Sequence, residues 1–124
     1  MRVWPAVVAD AASVVTFAAI GRRNHAEGLD LLGIASTAWP FLAGAAVGML
    51  AGRIWREPAS LRSGVSVWAG TVAVGMLLRA ATGGGVQLSF VLVAATVLAV
   101  FLLGWRLLAR LLMRARRVEA HNAR

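Results

Sequence analysis

The sequence predicts an all-α protein, a four-helix transmembrane bundle with both termini cytoplasmic, and three observations carry that expectation. Of its 124 residues, 60% are hydrophobic and 15% charged, a balance too apolar for a water-soluble domain in a chain too short for more than one compact unit. Four apolar runs, near residues 3–21, 30–52, 63–82 and 86–108, each reach the length of about 20 residues that a bilayer crossing requires. Arginine is unevenly spread. Ten of the thirteen fall at the termini or in the second connection, whereas Arg22, Arg23 and Arg79 fall on the other side, so the positive-inside rule puts the termini in the cytoplasm. Residues 1–118 form one four-span membrane domain in this reading, with helix four extended by an Arg-rich amphipathic tail and residues 119–124 disordered.

Composition also excludes chemistry. There is no cysteine, so disulfides, thiolate metal sites and cysteine nucleophiles are absent. The net charge of +8 comes entirely from arginine over acid, and arginines at helix ends point to a bilayer with anionic headgroups as partner rather than to nucleic acid. No cofactor and no metal is expected: His25, the one histidine among the connections, lacks a second nitrogen ligand nearby.

Helix one carries Asp10, Ser13, Phe17 and Gly21 at spacings of three or four, one polar and small face that looks into the bundle. Asp10 breaks the apolar run, which argues for a span rather than a signal peptide. A carboxylate inside the hydrocarbon costs roughly 2.5–3.5 kcal/mol on insertion scales, so Asp10 marks either a functional group or a structural hydrogen-bonding tie. Counting from the helix ends puts Gly44, Gly48, Ser66, Trp68 and Thr71 level with it and no arginine. The expected site is therefore Asp10, Ser13, Thr71 and Trp68, with the carboxylate bonded to a hydroxyl or an indole.

Helix two repeats Gly44, Gly48 and Gly52, a face that lets another backbone approach and so points to helix packing against helix one, helix three or a second subunit. Pro40 interrupts the hydrogen-bond ladder of the same helix and predicts a kink near Ser36 and Thr37. Helix three presents Gly64, Trp68, Thr71, Gly75 and Arg79 along one face. Gly83, Gly84 and Gly85 make a tight connection, so helices three and four are antiparallel neighbours. Helix four is apolar on nearly all sides until Trp105, after which Arg106, Arg110, Arg114 and Arg117 share a stripe and are expected to contact lipid headgroups.

A second candidate cluster gathers Arg22, His25, Glu27, Asp30 and Arg79 at the outer mouth, where they could bind an anion or a headgroup or move protons; a solvated loop accounts for the same residues. Arg79 either anchors among headgroups or meets Glu27 or Asp30.

The pattern Asp10, Phe17 and Gly21-Arg22-Arg23-Asn24-His25, then Ala38-Trp39-Pro40-Phe41-Leu42-Ala43-Gly44, Val67-Trp68-Ala69-Gly70-Thr71 and Leu103-Gly104-Trp105-Arg106 resembles the bacterial integral membrane family catalogued as domain of unknown function 3054. The resemblance implies four spans, multi-pass residence in the bacterial inner (plasma) membrane and no assigned activity. Residues and resemblance together favour a non-enzymatic subunit or assembly factor of a membrane complex, homo-oligomeric or larger. A small oligomeric transporter or channel using Asp10 and the Arg79/His25 cluster, and a lipid- or isoprenoid-modifying enzyme with His25 as acid or base, stay open as alternatives.

Overall fold

In a medium without water every backbone N–H and C=O must find a partner within the chain, and a helix supplies them all. The computed structural model describes residues 2–24 and 30–123, residues 23 and 24 by their backbone alone. It forms α1 (Val3–Asn24), α2 (Leu31–Ala51), α3 (Leu61–Ala81) and α4 (Leu88–Asn122), each long and apolar enough to cross a membrane. The helix ends fall within three residues of the apolar runs except at α4. That helix runs 35 residues to Asn122, so residues 119–122 continue it and are not the disordered tail expected. Beyond Gly104 the sequence holds only Leu, Ala, Arg, Met and other helix-compatible residues, with no glycine or proline to stop the ladder. At about 1.5 Å per residue α4 is about 52 Å long, well beyond a hydrocarbon core of about 30 Å.

Local chemistry sets the other ends. Pro5 sits in the first turn of α1, where its missing N–H is not needed. Asp30 caps α2 by accepting from the Gly33 N–H at 2.9 Å, and Ser60 caps α3 by accepting from the Ser63 N–H at 3.1 Å. α2 and α3 end alike. The Gly84 N–H donates to the Arg79 carbonyl and the Gly83 N–H to that of Ala80, with Gly83 left-handed at φ 85°, and Ile54 and Arg53 make the same pair of bonds to Met49 and Leu50. Arg53 occupies the left-handed position at φ 48°, where a side chain is strained. α2 continues as helix through Pro40, which is buried.

Among the described residues the helices close into a ring. Each packs against its neighbours in sequence, α1 returns onto α4, and the closest packing is between α2 and α3. Glycine explains that closeness. A Cβ on Gly44 would lie 2.9 Å from the Gly75 nitrogen, and one on Gly48 would lie 2.8 Å from Val67 Cα, so the missing side chains of α2 let the two backbones touch. The Ser66 hydroxyl donates across the same seam to the Gly48 carbonyl at 2.7 Å. The interior holds Val14, Phe17, Phe41, Val67, Met76, Ala94, Leu98 and Leu102. Leu77, Leu92 and Val100 face outward, mostly exposed, as side chains do whose solvent is lipid.

Candidate functional site

A carboxylate taken out of water has to be met by donors or by an opposite charge. Asp10, fully buried in α1, draws both from α4. Arg106 Nη1 donates to Oδ1 at 2.7 Å and Nη2 to Oδ2 at 2.8 Å, while Trp105 Nε1 donates to Oδ1 at 2.9 Å. Two parallel bonds from one planar fork fix orientation as well as distance, which a lysine could not do. Two more of the five guanidinium donors are used: Nε meets the Pro58 carbonyl at 3.0 Å, and Nη1 also reaches the Leu102 carbonyl at 3.0 Å. Arg106 is as fully buried as its partner, and among the described residues no buried side-chain nitrogen or oxygen lacks a hydrogen bond. One side chain thereby joins α1, α4 and the connection between α2 and α3. Gly64 makes room for it: a Cβ there would lie 2.8 Å from Arg106 Cδ.

This corrects two expectations. Asp10 is in direct contact with an arginine, and the indole that reaches it belongs to Trp105, not Trp68. Arg106 is not a headgroup contact, whereas Arg110, Arg114 and Arg117 are exposed. The reason is directional. Side chains lean toward the N-terminus of their own helix, so on antiparallel α1 and α4 Asp10 leans toward the termini and Arg106 leans away from them. Two side chains whose Cα levels differ therefore meet in between.

The other members assigned to the Asp10 site bond elsewhere. Ser13 donates to the Ala9 carbonyl at 2.8 Å and Thr71 to the Val67 carbonyl at 2.7 Å, each one turn back in its own helix. Trp68 Nε1 donates to the Ala95 carbonyl at 2.8 Å and ties α3 to α4. The signal that would have found Arg106 is charge balance: Asp10 is the one acid in the first apolar run, and Arg106 is the one arginine in the last.

At the end of the bundle remote from the termini, Arg22 donates to Thr37 Oγ1 at 3.2 Å and lies 3.7 Å from Asp30. Arg79 forms no ion pair with Asp30. Its Nε donates to the Gly85 carbonyl at 2.7 Å, and its guanidinium carbon stands 4.5 Å over the Phe90 ring. Arg22 and Arg79 line one small cleft together with Phe17 and Phe90. His25 and Glu27 lie outside the described residues. Among the described residues no three carboxylate, histidine or cysteine side chains gather as a metal site would require.

Four apolar helices closed by an internal ion pair define a small multi-pass helical membrane protein. The chain belongs to the family described as a protein of unknown function, DUF3054, which it matches over residues 7–109, a stretch that contains both Asp10 and Arg106. No curated protein and no solved structure matches it.

Proposed function

We propose that the protein acts without catalysis, as a small subunit or assembly factor of a complex in the bacterial inner membrane, with both termini cytoplasmic. The observation that carries this reading is the saturation of the Asp10 and Arg106 pair: both carboxylate oxygens and all three guanidinium nitrogens are engaged, and neither residue is exposed. A transport or acid–base residue must change partners or protonation during its cycle, and a group held by this many bonds away from water is built to stay. The arginine asymmetry supports the orientation, and the exposed Arg110, Arg114 and Arg117 suit an extension that lies at anionic headgroups.

Solubilisation of native membranes in a mild detergent, followed by sizing of the particle that contains the chain, tests the proposal. A particle far larger than a small oligomer of a 13.0 kDa subunit, paired with proteoliposomes of the purified chain that carry no ion flux, is the expected result. Flux that Asp10→Asn abolishes would overturn it.

A further inference from the structure

The clamp closes α1 onto α4 at the end that bears the termini. At the opposite end the two helices part around a half-open groove of about 450 Å³, within the range of sites that hold small molecules. Ile20, Val93 and Val97 make its apolar wall, Phe17 and Phe90 its floor, and Arg79 stands at its mouth. The guanidinium is held there by the Gly85 carbonyl and the Phe90 ring, and none of the described residues accepts from its two terminal nitrogens. Arg22 lines the adjoining cleft, and the one described carboxylate nearby, Asp30, already faces Arg22 and caps α2.

A cationic fork above an apolar trough matches the two halves of an anionic lipid. An arginine with two free donors binds a phosphate oxygen pair side by side. The trough faces hydrocarbon, so an acyl chain fills it at no cost in desolvation, while it is too small for a helix about 10 Å across. We propose that this groove holds one anionic phospholipid, its phosphodiester on Arg79 and one acyl chain along Ile20, Val93 and Val97. The site is independent of the accessory role proposed above, because an assembly factor and a transporter could each carry it.

Native mass spectrometry of the full chain in detergent, supplied with dioleoylphosphatidylglycerol or dioleoylphosphatidylcholine, reads the site. Phosphatidylglycerol should be retained as a single adduct in preference to phosphatidylcholine. Arg79→Gln should weaken that retention at least about tenfold, the loss expected for even one charge-assisted bond, and Arg79→Lys should restore part of it. Val93→Trp, which fills the trough and leaves the charge in place, should weaken it as well, with thermal melting showing that each variant is folded. Arg110→Gln with Arg114→Gln, at the other end, should leave the tight adduct intact. Equal retention of both lipids overturns the proposal. So does loss of the adduct in the Arg110/Arg114 variant but not in Arg79→Gln, or inorganic phosphate displacing the lipid while Val93→Trp binds normally, since a free anion would then be the occupant.

Discussion

Replacing Asp10 by leucine removes the countercharge of a guanidinium with no route to water. Breaking one side of a buried pair in this way costs about 3–5 kcal/mol, a large share of the roughly 5–15 kcal/mol that holds a typical small domain together. Arg106→Met costs as much from the other side, because it strands the carboxylate and also deprives the buried Pro58 carbonyl of its donor. Taken separately the two changes sum to about 6–10 kcal/mol. The double variant behaves differently: with both charges gone, what remains is the unpaired Pro58 carbonyl and the lost bond from Trp105, about 1–3 kcal/mol. The coupling between the positions should therefore be at least about 3 kcal/mol, with the double variant more stable than either single one. Unfolding by a denaturing detergent in mixed micelles, followed through the five tryptophans, measures all four proteins. Single and double effects that add to within about 0.5 kcal/mol would show that the pair contributes nothing as a pair and would refute the reasoning.

Gly64→Ala should act on the same clamp from α3 by crowding the Arg106 stem, costing about 1–3 kcal/mol in the same unfolding assay. Gly48→Val should cost a similar amount or more, since its Cβ meets the Val67 backbone and backbone cannot step aside, while Gly104→Ala, with nothing within 4 Å, should gain up to about 1 kcal/mol. Arg53→Gly should stabilise by about 0.5–1 kcal/mol, because glycine takes the left-handed position without strain and returns part of that gain as chain entropy. The chain has no cysteine of its own, so Val86→Cys and His121→Cys report orientation directly: a membrane-impermeant thiol reagent added to intact cells should label the first and leave the second untouched, and the reverse pattern would invert the topology.

The spans were legible because a helix in lipid announces itself by length and apolarity alone, and the glycine face of α2 by its exact four-residue repeat. The partner of Asp10 was not legible from depth counting, which places Cα atoms and ignores the several ångströms by which a carboxylate and a guanidinium lean along oppositely running helices. Arg106 also looked like the first member of the stripe it shares with Arg110, Arg114 and Arg117, so periodicity assigned it to headgroups. Charge balance would have separated it from them: four similar arginines offered one buried acid a single nearby partner. The polar residues once grouped with Asp10 misled for a different reason. A serine or threonine in a helix can satisfy itself on the carbonyl one turn back, as Ser13 and Thr71 do, and sequence alone does not reveal that choice.

Between helices immersed in lipid the hydrophobic effect chooses no neighbour, because a leucine is as well solvated by acyl chains as by another helix. Neighbours must be chosen by close backbone contact or by polar groups that lipid cannot satisfy. The chain uses one device on each side of the ring. α2 meets α3 through glycines and one serine hydroxyl, and the short connection between them keeps the pair together in any case. α1 and α4 are the first and last spans, with no short connection to hold them, and there the ion pair supplies what sequence proximity cannot: Asp10 left facing lipid is costly, so the ring closes on Arg106 in one register. Because that constraint acts at a single level, the far ends of α1 and α4 are free to diverge, and the groove beneath Arg79 opens where the clamp's hold is weakest.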